Sequence, residues 1–253
     1  MCGIAGTIGF ANEPLLERMT NVIAHRGPDD RGTKIFTRDH LSVGFGFRRL
    51  SIIDLSPAGH QPMQTTYFNS SNNSSQAHGS QSGIGTSPDE SLWIIFNGEI
   101  YNYEPLRDEL RAKGYTFKSG TDTEVILHAY HAWGTDCVKR FNGMWGFAIY
   151  DLKKNRVFIS RDRLGVKPIY YARLSGGRII FGSEVKSLLE CSDVPREADP
   201  DGILSTLFFL WTPEPKTAFK GIEKLPAGCN MIIEQGDVRI EKYWDLTFEG
   251  YGT

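Results

Sequence analysis

Four strand-like segments follow one another between residues 144 and 183: MWGFAIYDL, RVFISRD, KPIYYARL and RIIFGS. Their β-branched and aromatic content bounded by turn residues is the pattern of consecutive strands. An earlier run of strands is spread out. CGIAGTIGF at the start is small-residue-rich and apolar and reads as a buried strand. LSVGFGFRRLSIIDL at 41–55 reads as a strand running into an irregular polar segment, and LWIIFN at 92–97 as a further strand. Helices are expected between these runs. Leu15, Leu16, Met19, Val22 and Ile23 share one face over 14–24. Pro105 suits the first turn of a helix over 104–113 that Gly114 closes. Thr121 and Glu124 match a capping box for a helix starting at about 122, with Ile126, Ala129, Tyr130 and Trp133 as its apolar stripe. Shorter helices are expected near 184–190 and 200–210. HRGPDDRG at 25–32 reads as loop, NGEIYNY at 97–103 as turn, and residues 230–244 as a hairpin around Gln235-Gly236-Asp237. Two runs of strands with helices between them predict an α+β architecture: two antiparallel sheets face to face, helices outside.

Residues 69–91 break this pattern. They are mostly Ser, Asn, Gln and Gly, and Ile84 is their only large aliphatic. Such a segment cannot bury enough surface to offset its ordering entropy, so a disordered insertion is expected there.

Charge and cysteine usage exclude several classes. Lys plus Arg is 28 and Asp plus Glu is 30 in 253 residues, a net charge of −2. That leaves no electrostatic footprint for nucleic acid or anionic membrane. No apolar run approaches the length of a membrane span, and the N-terminus lacks the basic start of a signal peptide. Cys2, Cys137, Cys191 and Cys229 make neither a disulfide framework nor a CxxC zinc pair. A reducing, cytoplasmic setting is the expectation.

Cys2 carries the most chemical information. Removal of Met1 ahead of a small residue would leave a thiol and a free α-amine on one residue. The amine, with an ordinary pKa of about 7.7–8.0, is a usable base near neutrality, whereas lysine is not. Taken alone, Cys2 also reads as an ordinary small residue at a chain start. Asn97-Gly98-Glu99 follows a strong strand. An Asn amide and a Gly backbone N–H would form an oxyanion hole, while Asn-Gly is also the commonest hairpin signal. Arg48-Arg49 comes after a strand and ahead of Leu-Ser-Ile-Ile-Asp, and Arg recognises carboxylates in a bidentate manner. Asp122 stands at a helix start, as a cap or as a partner for a substrate ammonium. Together these are the parts of a site for an α-amino acid with a side-chain carbonyl.

The motifs MCGIAG (1–6), HRGPDD (25–30), RRLSIIDLSPAGHQPM (48–63), FNGEIYNY (96–103), SGTDTEVILHAY (119–130), NGMWGFAIYD (142–151), RDRLGVKPIYY (161–171) and KLPAG (224–228) span nearly the whole chain. In this order they resemble the class II glutamine amidotransferases, N-terminal-nucleophile hydrolases, and among them the N-terminal half of the asparagine synthetase type. The resemblance implies a four-layer αββα sandwich. It implies Cys2 as nucleophile with its α-amine as base, and Asn97 and Gly98 as the oxyanion hole. Arg49 would bind the glutamine α-carboxylate, Glu99 and Asp122 its α-ammonium, and the backbone of Leu50, Ser51, Ile52 and Ile53 would line the pocket. The family reaction releases ammonia from glutamine through a glutamyl thioester.

The resemblance implies no metal and no cofactor for this chain. ATP and Mg2+ would serve an ammonia-accepting synthetase domain, whose SGGxDSS motif the chain lacks. Ser175-Gly176-Gly177 reads as a hairpin turn instead. The expected organisation is a glutaminase domain over 2–230, then over 231–253 a hairpin and the start of a linker to the synthetase domain. A retired interaction module and another N-terminal-nucleophile amide hydrolase are the competing functions. His128 and His131, three apart on a helix, read as structural, and Cys137, Cys191 and Cys229 as inert. Phe208, Phe209 and Trp211 read as core or as a face toward the synthetase domain, and RDRLGVKP as a structural turn without catalytic role.

Overall fold

The structure, a computed structural model, describes residues 1–65 and 91–247. The expected insertion at 69–91 lies outside the described residues except for Ser91, which is buried and accepts from the Leu152 N–H at 3.3 Å.

The chain runs β1 (Gly3–Ile8), α1 (Glu13–Asn21), β2 (Asp30–Arg38), β3 (Leu41–Arg49), β4 (Met63–Gln64), β5 (Leu92–Ile100), α2 (Tyr103–Ala112) and α3 (Asp122–Trp133). It continues through β6 (Gly143–Asp151), β7 (Arg156–Arg161), β8 (Tyr170–Arg173), β9 (Ile179–Gly182), α4 (Val185–Leu188), α5 (Pro200–Phe209), β10 (Glu223–Lys224), β11 (Cys229–Glu234) and β12 (Asp237–Lys242). One sheet has the order β10-β8-β9-β1-β3-β2 and the other β12-β11-β7-β6-β5-β4. The paired strands are antiparallel, as in Gly3 with Arg48 and Asn97 with Gly146.

Alternation along the strands sorts the side chains into layers. Ile4, Ile8, Phe45 and Phe47 of the first sheet meet Ile95, Ala148, Ile159 and Met231 of the second. On the other face of the first sheet, Leu15 and Met19 of α1 and Leu188 of α4 cover Ala5 and Ile180. Leu106 and Leu110 of α2 and Val125 and Ile126 of α3 cover Ile94, Phe96 and Phe147 of the second. The result is the four-layer αββα sandwich. Each buried aliphatic or aromatic side chain stabilises it by about 1.5–3 kcal/mol.

Several expectations change. Residues 30–38 form β2, where the sequence reads as loop at its start. DRGTKIFTR lies at a sheet edge, buries only Phe36, and tolerates charge that an interior strand would not. Residues 97–100 are strand, not turn: β5 stays paired with β6 through Ile100 opposite Gly143. Gly98 is there because the strands touch. A Cβ on it would lie 2.2 Å from Met144 O and 2.8 Å from the Trp145 Cα. The capping box at α3 is half formed. Thr121 Oγ1 accepts from the Glu124 N–H at 3.3 Å, but the Glu124 carboxylate turns to the Lys118 and Ser119 N–H groups.

The expected boundary between residues 230 and 231 falls inside β11. That strand pairs with β7 and β12, and Met231, Ile232 and Ile233 are buried, so the hairpin belongs to the sandwich. Its turn is Gln235-Gly236, with φ of 53° and 86°, the geometry of a two-residue hairpin loop. Phe208, Phe209 and Trp211 are not core: they are 75%, 62% and 55% exposed on and just after α5. Ser175-Gly176-Gly177 is the tight turn between β8 and β9. All four cysteines are free, and Cys137, Cys191 and Cys229 are buried. Among the described residues, no helix is long and apolar enough to cross a membrane.

Candidate active site

β1 lies in the interior of its sheet, hydrogen-bonded to β3 on one side and β9 on the other. Its first residues, Gly3 and Ile4, pair with β3, and Ser183, just past β9, donates its N–H to Ile4 O at 2.9 Å. Ser183 Oγ accepts from the Ile4 N–H at 3.0 Å, and Arg26 Nε donates to Cys2 O at 2.9 Å. Arg26 is itself fixed by Glu184 at 2.9 Å. Cys2 shares the inward face with Ile4, so its thiol enters the space between the sheets. There the Leu50 N–H donates to Sγ at 3.4 Å. Burial pushes the thiol pKa up, while the Leu50 N–H, the chain's amino terminus and Arg49 pull it back toward the thiolate.

β5 brings the second group. Ile95, Asn97 and Glu99 alternate onto the same inward face, Ile95 in the intersheet core and the other two at the pocket beyond it. Asn97 is 1% exposed, and its Nδ2 has no hydrogen-bond partner among the described residues. A buried donor left unpaired costs about 1–3 kcal/mol, so it calls for an explanation. The strand's outer edge supplies another donor. Alternation puts the N–H groups of Phe96, Gly98 and Ile100 on the edge away from β6. Gln61 Oε1 takes the first at 2.7 Å and Asp122 Oδ2 the third at 2.9 Å. The Gly98 N–H lies between them, at the pocket that Gln61, Gly98 and Asp122 line.

Arg49 ends β3 and is 7% exposed. Nη1 donates to Ser56 O at 2.8 Å and Nη2 to Asp54 O, which shapes the 50–56 segment around the pocket. Gly59 must be glycine for this: a Cβ there would lie 2.0 Å from Arg49 Nη2. Asp122 is 5% exposed at the first turn of α3. The cap is Thr121, which leaves the Asp122 carboxylate for Ile100 and the pocket. Burial raises the Asp122 pKa to about 6, against the pull of the Ile100, Asp122 and Thr123 N–H groups, and the nearby Glu99 adds to the rise.

One pocket brings together Cys2, Arg49, Leu50, Ile52, Ile53, Asn97, Gly98, Glu99 and Asp122. Ser51 does not line it; its N–H is taken by Asp29 Oδ2 at 2.8 Å. Sequence reasoning missed Gln61, Thr123 and Lys167, which also line the pocket. Gln61 had a signal, a polar residue ahead of Pro62 within a motif. Lys167 falls in the RDRLGVKP segment read as a structural turn. That segment is a turn, gathered by Asp162, but it also aims a lysine into the site. The histidines have structural work: His128 Nε2 is 3.0 Å from Thr116 O, and His131 Nδ1 is 2.6 Å from the Tyr115 hydroxyl. Among the described residues, no cluster of three or more His, Cys, Asp or Glu is placed to hold a metal ion.

Two antiparallel sheets packed face to face, covered on both sides by helices and with Cys2 at the head of an interior strand, form the αββα arrangement of the N-terminal-nucleophile hydrolase fold. A family model described as a glutamine amidotransferase domain matches residues 1–71 and 75–244, and the chain belongs to that family, in its class II form. It is 40% identical over 264 residues to a putative glutamine-hydrolysing asparagine synthetase 2 of Methanocaldococcus jannaschii, covering 97% of this chain and 47% of that relative. It is 37% identical over 256 residues to asparagine synthetase 3 of Bacillus subtilis, covering 98% and 37%. The chain thus spans less than half the length of these curated relatives. In fold it resembles the glutamine phosphoribosylpyrophosphate amidotransferase of B. subtilis, with a TM-score of 0.64 at 16% identity over 96% of this chain and 49% of that one.

Proposed function

We propose that this chain is the glutaminase unit of an asparagine synthetase-type enzyme. The observation that carries the reading is the unpaired, buried Nδ2 of Asn97 beside the pocket that Cys2 lines. A donor kept without a partner in the resting protein is preorganised for charge that appears only during reaction.

In this reading, loss of Met1 frees the Cys2 α-amine. The amine takes the thiol proton, and the thiolate attacks the glutamine carboxamide carbon. The oxyanion of the tetrahedral intermediate accepts from Asn97 Nδ2 and the Gly98 N–H. The aminium returns its proton to the leaving nitrogen, ammonia departs, and a glutamyl thioester remains. Water, deprotonated by the same amine, cleaves the thioester to glutamate and restores the thiol. Arg49 holds the substrate α-carboxylate, and Glu99 and Asp122 its α-ammonium. Ammonia then amidates an ATP-activated aspartate in a synthetase domain, to which the Mg2+ and ATP chemistry belongs. The exposed apolar end of α5, from Leu207 to Trp211, supports a covering domain of that kind.

The test is glutamate release from glutamine by the protein and by Cys2→Ser, with loss of Met1 checked by intact mass. Release by the parent and none by the variant is expected. No release from Met1-free parent, with or without the synthetase domain, overturns the reading.

A further inference from the structure

Lys167 is a buried cation at the pocket, and among the described residues its ammonium is not engaged by a carboxylate. It is 4% exposed, and its backbone is fixed on both sides. Asp162 Oδ2 takes the Lys167 N–H at 2.8 Å, and Arg161 Nε donates to Lys167 O at 2.9 Å. Asp162 also accepts the N–H groups of Trp145, Leu164 and Val166, so its carboxylate is committed to the turn. The ammonium projects into the pocket, where its hydrogen-bond partner among the described residues is Met1 Sδ at 3.0 Å. A thioether is a weak acceptor, a poor match for a desolvated ammonium. That partner belongs to the residue whose removal creates the catalytic amine.

We propose that Lys167 is a positioning residue for the N-terminal base: once Met1 is gone, its ammonium faces the Cys2 α-amine and holds that amine in the neutral, proton-accepting form. A like charge nearby disfavours protonation of an amine, and enzymes use a cationic neighbour to activate a lysine in the same manner. The groups around the pair come from every element packed there. Arg26, after α1, adds positive charge; Glu99 on β5 and Asp162 after β7 offset it; Arg49 at the end of β3 and Asp122 on α3 act on Cys2 with opposite signs. Burial and Arg26 lower the Lys167 pKa, while Asp162, Cys2 and Glu99 work to keep it charged. The inference rests on the glutaminase reading of the site.

The experiment uses Lys167→Met, Lys167→Gln and Lys167→Arg, each confirmed free of Met1 and folded by thermal melting. In a Cys2→Ser background, where no thiol competes, the α-amine is trace-acetylated with acetic anhydride across pH 5–10 and read by peptide mass. The midpoint is expected to rise by roughly one pH unit in the two neutral variants and to stay in place with Arg. With Cys2 present, the acid limb of the glutamine kcat/KM profile moves up by the same amount. An unmoved midpoint in a folded neutral variant overturns the proposal, as does an Arg variant that moves like Met. Absence of glutamine turnover in the parent sinks the glutaminase reading while the labelling midpoint still reports on Lys167.

Discussion

The main-chain N–H of Ile100 donates to Asp122 Oδ2 at 2.9 Å, tying the end of β5 to the first turn of α3. A group assigned to the substrate ammonium thereby also fixes the strand that carries Asn97 and Gly98. In the proposed mechanism substrate binding and oxyanion stabilisation would therefore share one piece of framework, and substitutions at Asp122 would report on both.

Asp122 gives a pH prediction of definite sign. Burial raises its folded pKa to about 6 from an ordinary value near 3.8. Its ionisation therefore costs stability that is absent below about pH 4, grows between 4 and 6, and is fully present above 6. Asp122→Asn keeps an acceptor for Ile100 and removes that cost. The variant is expected to be more stable above pH 6, by up to about 3 kcal/mol at 1.36 kcal/mol per unit, with the difference closing near pH 4. Urea unfolding of both proteins at pH 4 and pH 7.5 reads this. KM for glutamine rises in the variant, and the parent loses kcat/KM below about pH 6.

Asn97→Ala removes a donor that the resting fold does not use. The expected result is a fall in kcat of roughly a hundred- to a thousand-fold with KM little changed. Thermal stability should not fall, since no hydrogen bond of Nδ2 is lost. Steady-state glutamate release and a melting curve measure the two parts, and a large loss of Tm would contradict the role.

Gly98→Ala tests contact between strands. The new methyl would press on Met144 O and the Trp145 Cα. Separating β5 from β6 is expected to cost about 1–3 kcal/mol and to displace the Gly98 N–H. Chemical denaturation checks the first, glutamate release the second.

Glu124 titrates in the opposite sense to Asp122. Burial alone would raise its pKa, but bonds from His128, Ser119 and Lys118 outweigh burial and hold it at about 2. Its stabilisation is present above about pH 4.5 and is lost as pH falls through 4 toward 2. Glu124→Gln should melt well below the parent at pH 7, and the gap in Tm should close on acidification. A constant gap across that range would contradict it.

Much of the pocket's lining was legible because its candidate residues sit in short, local patterns. Cys2 is the second residue of a small-residue strand, and Asn97-Gly98 follows LWIIFN directly. The Asn-Gly pair still misleads when read by itself. Its usual meaning is a hairpin, and only the tight approach of Met144 and Trp145 makes the glycine a strand residue. Strand β2 was not legible because an edge position asks for little burial. Ser51 and Leu50 were inseparable in sequence; the Asp29 carboxylate decides which of the two faces the site. Lys167 was hidden because its place depends on Asp162, which folds the turn by collecting four N–H groups.

The interior position of β1 has a practical consequence for handling the protein. The chain enters the sheet at Gly3, and Met1 already lines the pocket. A peptide fused ahead of Met1 would have to leave through the mouth of that pocket, and it would keep as an amide the Cys2 amine that the proposed mechanism uses as its base. On the proposed mechanism an affinity tag at that end would yield folded but silent material. A cleavable leader whose protease leaves cysteine as the first residue is the form in which the protein should be prepared.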